Sequence, residues 1–176
     1  MKQLAVRVVG MPILNIETGR ICGHINALFI DVRNNKVALF RINPRFKSKF
    51  TYLIARDARE INDHYVVVNS ENDLSEPDEL IKYKPVIEIP IQLIKAKVKT
   101  QSGRYLGRCR DFCFDGVSFD VVQIYITGPF WQKIITSNHI IDGRDIISIN
   151  QKQIIVKDSL VKSAQKAKSA LSAHTS

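Results

Sequence analysis

The sequence has no apolar run approaching the roughly 18 residues that a membrane helix needs. Its opening, Met1-Lys2-Gln3-Leu4-Ala5-Val6-Arg7, has none of the apolar stretch of a secretory signal. The expectation is a soluble, cytoplasmic protein with no membrane insertion. Cysteine is scarce: Cys22, Cys109 and Cys113 cannot all pair within the chain, and none stands in a two-cysteine knuckle with histidine at zinc-finger spacing. Reduced thiols, no metal and no cofactor are expected. Acidic residues are outnumbered, 17 against 26 Lys and Arg. The resulting net charge of +9 points to an anionic partner such as RNA, a ribosomal particle or an acidic protein surface, with solubility as the plainer account.

What is present is enough apolar side chain, 45% of 176 residues, to offset the entropy of ordering one domain or two small ones. An internal repeat decides for two. Gly19-Arg20-Ile21-Cys22-Gly23 recurs as Gly103-Arg104-Tyr105-Leu106-Gly107, and the same offset of 84 carries Asp31 onto Asp115, Val37 onto Val121 and Ile42 onto Ile126. Further on, Leu53-Ile54 aligns with Ile134-Ile135 and Val66 to Asn69 with Ile147 to Asn150, an offset of 81 that implies a shorter second loop.

Each copy reads as strands. Ala38, Phe40 and Ile42 alternate with Leu39 and Arg41, and Val122, Ile124 and Ile126 alternate with Gln123 and Tyr125, the period of a half-buried strand. Runs such as Tyr65 to Val68, Val86 to Ile89 and Ile154 to Val156 are rich in β-branched residues and bounded by turn formers. Gly19 and Gly103 are expected to accept positive φ, and Gly23 and Gly107 to permit close backbone approach or a bulge. A phosphate loop would precede a helix, and these segments precede strands. Asp31 and Asp115 open hairpin turns, bonding nearby amides. Between the copies, Ser75 or Glu76 caps a short helix starting at Pro77, and Pro85 and Pro90 make the following residues extended. After Asp158 the Ser, Ala and Lys composition predicts a basic tail, a frayed helix or disordered.

These features resemble the PRC-barrel family, known from the cytoplasmic part of the photosynthetic reaction-centre H subunit and the C-terminal domain of a 16S rRNA-maturation factor. Its order is a leading strand, Gly-x-x-x-Gly, an apolar strand ending near Asp, a hairpin and second strand, and a late Gly-Asp turn. The first copy follows it through Gly10 to Leu14, Gly19 to Gly23, Ile25 to Asp31, Val37 to Ile42 and Asp57 to Val68. The second follows it through Ala96 to Val98, Gly103 to Gly107, Cys109 to Asp115, Val121 to Ile126 and Ile134 to Ile149, with Ile141 to Asp145 as the late turn. The first copy departs in having Asn62-Asp63 at its late turn, and both lack the usual fifth-strand proline.

The resemblance implies an all-β chain of two small PRC-type barrels in tandem: residues 1–72, a linker with a short helix at 73–90, residues 91–158, and the basic tail at 159–176. It implies a non-enzymatic scaffold or adaptor that binds a protein partner, with an RNA- or ribosome-associated maturation factor as the alternative and a homodimer left open. It brings no catalytic residue.

A direct search for chemistry finds Cys109 and Cys113 four apart, with His139 in the same copy, and reads the thiols as small buried hydrophobes. The basic residues are more informative. Arg41, Arg45, Lys47 and Lys49 surround the first copy's long loop, interleaved with Phe46, Phe50 and Tyr52, while Lys95, Lys97, Lys99, Arg104, Arg108 and Arg110 crowd the start of the second copy. Such cations with aromatics grip phosphates and stack on bases, whereas alternate strand lysines also serve merely to discourage edge pairing. Phe130-Trp131 is the candidate aromatic anchor for a protein partner.

Overall fold

The computed structural model describes residues 1–45, 47–128 and 140–160. The chain is mostly β, in two sheets. In the first, β2 (Pro12–Asn15), β3 (Arg20–Asp31), β4 (Lys36–Pro44), β5 (Tyr52–Ile54), β6 (Glu60–Ile61), β7 (Val66–Val68) and β8 (Leu74–Ser75) lie in the order β6-β7-β2-β3-β4-β5-β8. In the second, β9 (Lys97–Thr100), β10 (Tyr105–Asp115), β11 (Val121–Thr127), β12 (Ile140–Asp142), β13 (Ile146–Ile149) and β14 (Gln153–Val156) follow the order β13-β14-β9-β10-β11-β12. Strand for strand, this is the first order without β8. Both sheets contain one parallel pair, β2 with β7 and β9 with β14. Among the described residues neither sheet closes on itself through a continuous ladder.

The chain divides into two compact units, residues 1–92 with Cys113–Val122, and Leu93–Phe112 with residues from Gln123 onward. The far ends of β10 and β11 therefore belong to the first unit. There β1 (Lys2–Leu4) pairs with Cys113 to Asp115, and the hairpin tips exchange backbone bonds, Val37 N to Phe119 O and Val121 N to Asn35 O. Asn35 and Phe119 occupy the same repeat position, and both take positive φ, 52° and 61°.

Register gives the true alignment of the copies. Ile13 opposite Gly23 matches Val98 opposite Gly107, and the extra residue of each bulge is Cys22 or Leu106. Past the long loop, Leu53 opposite Phe40 matches Ile141 opposite Ile124, and Ile61 opposite Val66 matches Ile149 opposite Ile154. The offset there is 88, not 81, so the second copy carries four more residues between its third and fourth strands rather than fewer. Ile134-Ile135, placed opposite Leu53-Ile54 by sequence, lie outside the described residues. The late turn shifts accordingly: Gly143-Arg144-Asp145 corresponds to Ala55-Arg56-Asp57, both single turns of 3-10 helix, and not to Asn62-Asp63.

The linker also differs from expectation. Glu76 and Glu79 form a capping box around Pro77, but the helix it opens is one 3-10 turn (Pro77–Glu79), followed by another (Ile81–Tyr83). Then a five-residue helix (Lys84–Glu88) includes Pro85 and Val86 to Glu88, read above as extended. Proline costs no hydrogen bond in a first helical turn. Tertiary packing overrides β propensity because Tyr83, Val86 and Ile87, at helical spacing, cover Phe29, Leu39, Tyr52 and Leu80.

Candidate functional site

The Gly-x-x-x-Gly segments are structural in both copies. Gly19 and Gly103 take φ of 65° and 87° in the turn before β3 and β10. A side chain on Gly23 would meet the Asn43 carbonyl oxygen at 2.8 Å, and one on Gly107 the Thr127 carbonyl oxygen at 2.2 Å. At the hairpins, Asp31 Oδ1 accepts from Arg33 N at 3.0 Å, and Asp115 Oδ1 accepts from Val117 N and Ser118 N, each at 2.9 Å. The Ser118 and Val117 amides, with the N-terminal ammonium adding to them, hold the Asp115 carboxyl below its ordinary range. These six residues build turns.

The cysteines stand at core positions. Cys109 replaces Ile25 of the first copy and Cys113 replaces Phe29, and both are buried. Burial pushes the Cys109 thiol up to about 12, with the Asp111 charge acting in the same direction, so it stays protonated at neutral pH and is a poor nucleophile. Among the described residues, no three His, Cys, Asp or Glu side chains gather as a metal set, and no helix is long and apolar enough to cross a membrane.

The two basic candidates fare differently. In the first copy, Arg41 projects from β4, and Arg45, Lys47 and Lys49 are exposed beyond it. Of the aromatics between them, Tyr52 is buried, its ring 5.9 Å from that of Phe29, Phe50 is half-buried, and Phe46 lies outside the described residues. Phe130, Trp131 and His139 lie outside them too.

In the second copy the cations converge. Lys97 is directly opposite Arg108, and Lys99 directly opposite Tyr105, so all four share one sheet face. Arg110, two residues beyond Arg108 and exposed, extends that face, while Val98, Leu106 and Cys109 point into the core. On the flanks, Gln153 and Ile155 lie beside Lys97 and Lys99 on β14, and on β11 Tyr125 and Thr127 alternate with buried Ile124 and Ile126. None of Lys97, Lys99, Arg108 and Arg110 forms an ion pair with another described residue; the Arg108 guanidinium donates to the Lys95 carbonyl at 3.0 Å. Lys95 stands beside this face with φ of 72°, where the first copy has Gly10 at 91°.

Protection of an edge does not explain Lys97 and Lys99. Their strand runs between β10 and β14, in the interior of the sheet. Sequence reasoning found these lysines but not Tyr105 or Tyr125, whose signal was the same alternation that placed Ile124 and Ile126 inward. No family model and no curated protein matches the chain.

Proposed function

We propose that the chain is a non-enzymatic docking scaffold of the tandem PRC-barrel type, and that its working surface is the outer face of β9 and β10, which binds an anionic macromolecule. The barrel assignment draws on the shared strand order, the paired bulges at Cys22 and Leu106 and the Gly-x-x-x-Gly turns. A binding role without turnover is supported by cysteines in core positions and the raised Cys109 thiol.

The observation that carries the proposal is Lys97 opposite Arg108 on interior strands, with Lys99 and Arg110 alongside and, among the described residues, no carboxylate in an ion pair with any of them. Like charges directly opposite cost about 0.2–1 kcal/mol per pair, so this lattice is costly in the free protein and relieved by a bound polyanion. Retention on immobilised heparin tests it. Lys97→Glu with Lys99→Glu should elute at much lower salt than the parent, and Arg45→Glu with Lys47→Glu and Lys49→Glu close to the parent. The reverse ranking would move the working surface to the first copy's loop.

A further inference from the structure

Resting on that reading, we infer that the anionic partner is single-stranded RNA, laid across β9 and β10 with a base stacked on Tyr105. Neighbouring cations on one strand are about 6.7 Å apart and neighbouring strands about 4.8 Å, a lattice on the scale of successive phosphates in an extended single strand. Tyr105, 40% exposed, lies directly across from Lys99, so an aromatic plane stands beside a phosphate-binding charge. Tyr125 lies one strand further across the sheet, on β11, so both tyrosines stand on the same side of Lys97 and Lys99. An exposed tyrosine among lysines and arginines is what an unstacked base on a charged backbone requires.

Two alternatives fit less well. An acidic protein segment would pair with the cations but gives no role to the exposed Tyr105 ring beside Lys99. A duplex hides its base faces, so it too leaves that ring without a base to stack on. Gln153 beside Lys97, and the exposed Thr127 two residues from Tyr125, put neutral hydrogen-bonding groups at the margins, where ribose 2′-hydroxyls can be met.

The test is fluorescence anisotropy of the full chain with a labelled oligouridylate of about twelve nucleotides, beside the same length of oligodeoxythymidylate, an RNA duplex and polyglutamate. The oligouridylate should bind tightest, with log affinity falling against log salt at a slope near about −3 for four phosphate contacts on a single strand. Lys97→Gln with Lys99→Gln should reduce that slope by about half. Tyr105→Leu should weaken RNA binding about tenfold and leave the salt slope and heparin retention unchanged, and Tyr105→Phe should restore it. Equal or tighter binding of polyglutamate, duplex or oligodeoxythymidylate, or no effect of Tyr105→Leu, overturns the RNA assignment while leaving the docking face in place. Loss of heparin retention by the parent chain would remove the docking face itself.

Discussion

On their inner faces the two copies exchange one apolar residue for another: Ile13 for Val98, Ile42 for Ile126, Leu53 for Ile141, Val66 for Ile154, all buried. On the outer faces the same comparison reads Pro12 for Lys97, Leu14 for Lys99, Ile21 for Tyr105, His24 for Arg108 and Asn26 for Arg110. A core constrains volume and polarity at each position, so matched strand order and bulges keep matched residues. An outer face has no such constraint, and one copy has gained four permanent charges and an aromatic that the other lacks. Core and outer face vary independently here, which makes each copy the control for the other.

The largest expected difference between the copies lies at the second glycine. Gly107 has φ of 147° and no room for a side chain against the Thr127 backbone, whereas Gly23 has ordinary φ and a less severe approach to Asn43. Gly107→Ala should cost about 3–4 kcal/mol and Gly23→Ala about 1–2 kcal/mol, read from urea midpoints at constant slope. Equal costs would mean that the two bulges are equally tight. The Gly10 and Lys95 pair reverses the direction. Gly10→Ala should cost about 1 kcal/mol, and Lys95→Gly should gain about 0.5 kcal/mol by relieving a left-handed lysine while keeping the carbonyl that Arg108 holds.

A third comparison concerns the hairpin aspartates. Asp115→Ala should cost about 1 kcal/mol at neutral pH, discounted for its exposure to solvent, and Asp31→Ala somewhat less, since only one backbone amide bonds Asp31. The Asp115 carboxyl is held below its ordinary value, so its contribution is present above that value and disappears as pH falls through the depressed one. Urea titrations of the parent and Asp115→Ala should therefore converge in acid.

The glycines, the hairpin aspartates and the fact of duplication were legible because they rest on local backbone demands that few residues meet. The second half of the alignment was not, because β-branched runs such as Val66 to Val68 match Ile147 to Ile149 as well as Ile154 to Val156. Arg56-Asp57 and Arg144-Asp145 carried the correct offset, in two residues too polar to weigh against the apolar runs. Val86 to Ile89 misled for a related reason: a short apolar run has no period of its own and takes the structure its neighbours impose. The basic cluster at Lys97 and Lys99 was visible, but its meaning depended on whether their strand is an edge. That is settled by the parallel pairing of β14, more than fifty residues away.

The smallest predicted effect bears most directly on the outer-face comparison. If Lys97 and Arg108 repel across the ladder, removing one charge should make the free protein more stable, although it removes a binding contact. Lys97→Gln should raise stability by about 0.3 kcal/mol at low salt, and the gain should shrink as the Debye length falls from about 30 Å at 0.01 M to about 3 Å at 1 M. Pro12, opposite His24 in the first copy, faces no permanent charge, so Pro12→Gln should show no salt-dependent change. Denaturant midpoints across a salt series separate the two. A salt-dependent gain confined to Lys97→Gln marks a surface whose charge opposes its own folding and is offset only when a polyanion is bound; a loss would mean that the lysine serves the sheet and not a ligand.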